Sequence, residues 1–245
     1  MVAVTTRLFT FGCSFTNYRW PTWADLLGRH YTEFQNWGQG GAGNHYIFNA
    51  VQECDQRHQW TSDDTVIVCW TNIMRDDRYV EYRGWITLGN IIDSQIYTKE
   101  FLADHVSERG NLIRDLAFIK ATKVLLESRG VTWRFLQMCD INQPAPWNQR
   151  HLQFSDVIDL YNDVLNCMLP SYLQVLGQNF WLQNHHQRRQ LANGKPDYHP
   201  MPIEHLRYLD TVLPGWITDD NTRAWAVNND MTPQGRDGKN QNHRL

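Results

Sequence analysis

The sequence predicts an α/β fold, a three-layer α/β/α sandwich about a central, mostly parallel five-stranded sheet. Three observations lead to it. Short β-prone runs alternate with stretches of helical period along most of the 245 residues. The run Thr65–Trp70 (TVIVCW) is almost continuously apolar, as a strand buried on both faces of a parallel sheet must be. Gly-containing loops then close the first two strands and lead toward helical stretches.

The first strand is Arg7–Cys13 (RLFTFGC), followed by polar residues, Pro21 and the helical TWADLLGRH. Tyr31–Trp37 supplies a second strand, and GQGGAG leads from it to an amphipathic stretch from Asn44 to about Cys54. Thr65–Trp70 is the third. Residues 75–110 carry charge and aromatics without a clean period, and read as an insertion of loops and short helices over the sheet edge. Asn111–Gly130 has helical spacing and stops at a glycine suited to a C-terminal cap, and Val131–Met138 is the fourth strand. A helix over Ser155–Leu176, broken by Pro170, leads to a fifth strand at Gln178–Gln183, and Pro202–Leu213 is the last helix. One domain is thus expected over residues 1–218, with a polar, extended tail over 219–245 that is dispensable for chemistry.

Composition narrows the function. With 23 basic and 26 acidic residues the net charge is -3, which gives no field for holding phosphate backbones and argues against nucleic acid as a partner. No run is long enough to span a bilayer and the N-terminus has no secretory pattern, so no membrane role and a cytoplasmic location are expected. The odd set Cys13, Cys54, Cys69, Cys139 and Cys167 lacks paired spacing and reads as free thiols. Eleven Trp, ten Tyr and ten Phe suit an aromatic-rich core, or a surface that stacks on sugar rings.

Four segments carry chemistry-bearing residues. Ser14 follows a glycine at the carboxyl end of the first strand, where open α/β folds place their sites, although a serine there alone is more commonly a helix cap. The segment Asn36 to Gly41 can bring a backbone N–H close to a substrate because no Cβ blocks the approach. Asn72, after the third strand, offers a side-chain amide or forms a turn. In Asp197-Tyr198-His199-Pro200, the proline biases His199 to an extended conformation in which the Asp197 carboxylate can reach its ring, as a base with its orienter. His185 and His186 are adjacent and lack a ligand pattern, so no metal is expected.

The order Gly12-Cys13-Ser14, Asn36-x-Gly38-x-x-Gly41, Thr71-Asn72 and Asp197-x-His199-Pro200 resembles the four sequence blocks of SGNH hydrolases, also called GDSL-like esterases. The resemblance implies a flavodoxin-like sandwich and a serine esterase without cofactor or metal. Ser14 would be the nucleophile, with Asp197 and His199 closing the triad. Ser14, Gly41 and Asn72 would form the oxyanion hole. The expected substrate is a small-molecule or carbohydrate ester carrying a short acyl group such as acetyl. Gly-Cys-Ser replaces the usual Gly-Asp-Ser, Ile73 stands where an aspartate usually follows the asparagine, and the usual Asp-x-x-His is one residue shorter. The shortening leaves His205 as an alternative base. His205 with the following LRYL is most similar to short SGNH-type proteins of bacteriophage genomes. The alternative function is a catalytically weak structural or carbohydrate-binding protein with this fold, such as a virion component, with protein partners left open.

Overall fold

The computed structural model describes residues 6–92, 96–141, 154–177 and 197–229. Strands β1 (Arg7–Phe11), β2 (Glu33–Asn36), β3 (Asp64–Trp70) and β6 (Thr132–Gln137) form one parallel sheet in the order β2-β1-β3-β6. β1 pairs Leu8 with Phe34 on one side and with Thr65 on the other, and β3 pairs Val68 with Phe135. Val66 to Trp70 are each 0% exposed, as their continuous apolar run demands. Each such aliphatic or aromatic side chain contributes about 1.5–3 kcal/mol on burial.

The chain runs outward from β1 to β2 through α1 (Trp23–Gly28), then returns across β1 to β3 through α2 (Asn44–His58). From β3 it continues outward through α4 (Glu108–Arg129) to β6. Right-handed crossovers therefore put α1 on one face and α2 with α4 on the other. α2 packs against α4, while α1 packs against α8 (Pro202–Val212). The direction of winding reverses between β1 and β3, so their carboxyl ends border the crevice where this architecture seats ligands.

Caps fix several helix limits. The Thr22 N–H donates to Asp25 Oδ2 at 2.8 Å before α1, and Ser107 Oγ accepts the Gly110 N–H before α4. Gly130 ends α4 in the left-handed region at φ 69°, the cap expected from its sequence.

The expected five-stranded sheet has four strands among the described residues, and the expected strand Gln178–Gln183 lies outside them. On that side of β6, Met168 forms a single parallel bridge to Phe135. The insertion also differs from expectation. Its first half is an antiparallel hairpin of β4 (Arg75–Val80) and β5 (Gly84–Asn90), and among the described residues only α3 (Lys99–His105) is helical before α4 begins. The β4 run has no apolar alternation, and a buried carboxylate on it reaches α2. Asp77, 3% exposed, accepts the N–H groups of Gly43 and Tyr46 at the start of α2, each at 2.8 Å.

The helix expected over Ser155–Leu176 is divided into α5 (Ser155–Leu160), α6 (Asn162–Leu165) and α7 (Tyr172–Leu176), with Pro170 between the last two. The tail expected over 219–245 differs in its described part, and residues 230–245 lie outside the described residues. Where an extended chain is expected, Asp219 caps α9 (Asp220–Asn228) by accepting the Thr222 N–H at 2.7 Å. Thr222 and Ala226 are buried, and α9 packs on α8. No helix of the described residues is long and apolar enough to cross a membrane.

Candidate active site

Gly12 leaves β1 at φ 155°, and a Cβ there would stand 2.1 Å from Thr16 Oγ1 and 3.0 Å from the Cys69 carbonyl. Only glycine fits at that exit. The Thr16 and Asn17 N–H groups both donate to Cys13 O, at 2.9 and 3.1 Å, and wind Ser14 into a tight turn at the carboxyl end of the sheet. Ser14 is 7% exposed. It is not a helix cap, because Thr22 takes that place for α1.

The Gly-rich loop is stitched to this turn. Asn36 Nδ2 donates to Thr16 O at 2.7 Å and Asn36 Oδ1 accepts the Gly38 N–H at 3.0 Å, while Asn17 Nδ2 donates to Gly38 O at 2.7 Å. Asn36 is thus a brace between β2 and the serine turn. Gly41 lies at φ 77°, and its carbonyl accepts the Gly89 N–H of the hairpin at 2.9 Å. A Cβ at Gly41 would meet Thr87 O at 2.7 Å, so position 41 has room for glycine alone.

At the end of β3, Asn72 Oδ1 accepts the Met74 N–H at 2.6 Å, which orients the amide so that its N–H groups face away from that turn. Burial pushes the Cys139 thiol up to about 12, against the charge of Arg75 and a hydrogen bond with the Asn72 side chain. Asn72 thus forms a turn at the end of β3.

Asp197 and His199 meet directly. His199 Nδ1 lies 2.7 Å from Asp197 Oδ1, and the same oxygen accepts the His199 N–H at 3.1 Å. The contact is a local side-chain turn in which a carboxylate accepts the N–H two residues on, rather than two side chains on one face of an extended strand. Asp197 is 1% exposed. Burial acts to raise the Asp197 pKa, but hydrogen bonds from the His199 ring, Tyr18 and the His199 N–H outweigh it and hold the carboxyl well below its ordinary range.

Tyr18, Arg19 and Trp20 were not singled out from the sequence, yet they fasten this segment to the loop that carries Ser14. The Tyr18 hydroxyl donates to Asp197 Oδ2 at 2.6 Å, Arg19 pairs with the same oxygen, and Trp20 Nε1 donates to Pro200 O at 2.7 Å. The Tyr18 ring stacks on His199 with centroids 3.8 Å apart, and the Phe15 ring stands edge-on to His199 at 6.0 Å. The partners are about 180 residues apart in sequence. Their one sequence signal is a run of aromatics and a cation directly after a candidate nucleophile.

Ser14 and His199 are therefore held at the same end of the sheet, although no hydrogen bond joins their side chains among the described residues. Catalytic hydrogen bonds in unliganded sites are often long and tighten on substrate binding. His205 is placed otherwise. It is 1% exposed inside α8, its Nδ1 lies 2.7 Å from the Tyr172 hydroxyl, and burial with the nearby His199 charge lowers its pKa to about 3.

Among the described residues, no group of three or more His, Cys, Asp or Glu side chains is placed to hold a metal ion. His185 and His186 lie outside them.

No family model and no curated protein matches the chain. Solved structures with a similar chain course include the psychrotrophic esterase EstA from Pseudoalteromonas sp., inhibited by monoethylphosphonate, at 10% identity and a TM-score of 0.44, over 87% of this chain and 99% of that one. A member of the lipolytic protein G-D-S-L family from Veillonella parvula DSM 2008 matches at 11% identity and a TM-score of 0.44, over 84% and 97% of the two chains. A GDSL-like lipase from Bacteroides thetaiotaomicron VPI-5482 matches at 11% identity and a TM-score of 0.42, over 86% and 87%.

Proposed function

We propose that this protein is a serine hydrolase of the SGNH type that cleaves carboxylic esters through Ser14, His199 and Asp197. The observation that carries this reading is the 2.7 Å bond from a buried carboxylate to His199 Nδ1, at the end of the sheet where the Gly12 turn delivers Ser14. A carboxylate on Nδ1 fixes the tautomer that leaves Nε2 free of a proton, and it stabilises the imidazolium formed when Nε2 accepts one.

In the reaction, Ser14 Oγ attacks the ester carbonyl as His199 Nε2 takes its proton. The tetrahedral oxyanion is held by the Ser14 and Gly41 N–H groups and the Asn72 amide. Collapse of this intermediate breaks the bond to the alcohol oxygen, which leaves with the proton from His199. Water, deprotonated by His199, then attacks the acyl–Ser14 ester and regenerates the serine.

A short acyl group, such as acetyl on a carbohydrate, is the substrate class proposed, because the chain's aromatic content suits stacking against sugar rings. A fluorophosphonate probe tests the reading. Stoichiometric labelling mapped to Ser14, with p-nitrophenyl acetate hydrolysis lost in Ser14→Ala, supports it. A folded protein that neither labels nor hydrolyses the ester refutes it.

A further inference from the structure

The shortened spacing between Asp197 and His199 leaves the pair to a tight local turn, and such a turn fixes only one carboxylate oxygen. Oδ1 takes both His199 contacts, the ring at 2.7 Å and the backbone at 3.1 Å. The second oxygen, Oδ2, is held from the opposite end of the chain by the Tyr18 hydroxyl at 2.6 Å and by Arg19. Tyr18 acts twice, since its ring also lies over the imidazole with 3.8 Å between centroids and an 18° tilt. One residue thus limits rotation of the carboxylate and of the imidazole together.

We propose that Tyr18 is a positioning residue for the Asp197–His199 pair, with Arg19 as a second anchor on the same carboxylate oxygen. The proposal rests on the hydrolase reading above. Tyr18 belongs to the loop that carries Ser14, so the nucleophile turn and the base share one support. The Trp20 bond to Pro200 at 2.7 Å closes the loop onto the residue after His199, and Arg19 lies over the Tyr18 and Trp20 rings at 5.6 and 5.0 Å. Burial and the neighbouring Asp197 both push the Tyr18 phenol up from its ordinary pKa, so it remains a protonated donor throughout the working range.

The test separates the hydroxyl from the ring. Tyr18→Phe keeps the stack and removes the hydrogen bond to a charged acceptor, and kcat for p-nitrophenyl acetate should fall about tenfold with KM within twofold. Tyr18→Leu removes both, and a fall of about a hundredfold is expected. Arg19→Lys should retain more of kcat than Arg19→Met. The second readout is independent of turnover: the His199 Nδ1 proton, observed by NMR as a downfield resonance in the bond to Asp197, should exchange faster with water in both Tyr18 variants. Circular dichroism confirms folding, and if Tyr18→Leu fails to fold, Tyr18→Phe decides alone.

Wild-type kcat and unchanged proton exchange in Tyr18→Phe overturn the proposal, as does a loss confined to KM. Should the wild-type protein neither label at Ser14 nor hydrolyse esters, the hydrolase reading fails by itself. Tyr18 is then judged by His199 proton exchange alone.

Discussion

The Tyr172 hydroxyl lies 2.7 Å from His205 Nδ1 in the core, while His199, six residues earlier, keeps 28% of its side chain exposed beside the Ser14 loop. The two histidines suggested by the sequence as bases therefore stand in different environments. A buried imidazole that resists protonation is a poor proton acceptor, and its hydrogen bond to Tyr172 ties it to packing. His199→Gln should reduce ester turnover at least a thousandfold, and Asp197→Asn should do nearly as much because it supports the wrong tautomer. His205→Gln should leave kcat within about threefold once folded. Kinetics with p-nitrophenyl acetate decide the matter: an inactive, folded His205→Gln with an active His199→Gln reverses the assignment.

His205 also has a consequence for stability. Its folded pKa is about 3 against an ordinary 6.5, so the unfolded chain binds a proton that the folded chain refuses. Its contribution is intact above about pH 6.5 and is lost as pH falls, at up to about 1.4 kcal/mol per unit, until the folded pKa is reached. Asp115 works in the opposite sense. Burial raises its carboxyl to about 6, against Arg114 and Asn44, so its contribution is complete below the ordinary 3.8 and is lost as pH rises through 6. In urea titrations between pH 4 and 8, His205→Gln should lose stability relative to wild type as pH rises from 4 to 6, because the Asp115 loss is then unopposed. Asp115→Asn should give a profile that falls more steeply toward acid. Parallel curves for all three proteins would exclude both assignments.

Much of this was legible in the sequence, and the rest was not for identifiable reasons. Val66 to Trp70 announce a buried parallel strand because both faces must be apolar, and Gly130 announces a helix end because its left-handed conformation favours glycine. The β4–β5 hairpin had no such signal. RDDRYV shows no alternation, and its one buried carboxylate, Asp77, reaches the α2 amino terminus 31 to 34 residues back along the chain. At the candidate site, the Ser14 turn and the Asp197–His199 contact were legible because local rules of strand exit and spacing bear on them. Tyr18, Arg19 and Trp20 were not, since their role arises only when the ends of the chain meet.

Asp77 yields a prediction from that hairpin. Its carboxylate accepts Gly43 and Tyr46 N–H groups, and Arg75 donates to Ala42 O at 2.8 Å beside it. Asp77→Ala leaves two buried N–H groups without their acceptor, which should cost about 2–4 kcal/mol in urea denaturation. The Gly41 loop precedes these groups directly, so turnover should also fall in the folded fraction. Asp77→Asn retains one acceptor oxygen and should lose about half as much stability. Equal stability for Asp77→Ala and wild type would show that the hairpin does not hold α2.

The last prediction concerns the end of the described chain, where a polar sequence forms a docked helix. Composition suggests that everything after Thr218 can be removed, because the segment has few apolar residues and no clear period. Yet Asp219 caps α9, Thr222 and Ala226 are buried, and Arg29 Nε donates to Thr222 Oγ1 at 3.1 Å while its guanidinium lies 4.7 Å from the centre of the Trp225 ring. Arg223 adds a two-pronged pair with Asp210 on α8, but that pair is exposed and contributes little. The stabilisation therefore comes from the small buried face and the Arg29–Trp225 contact, together about 2–3 kcal/mol. Truncation after Thr218 should lower the melting temperature by roughly 5–10 °C. No contact of α9 described above touches Ser14, Asp197 or His199, so the shorter protein should still hydrolyse ester below its melting point. If the truncated protein melts with the full chain, α9 is a passenger; if it is folded but inactive, α9 belongs to the site.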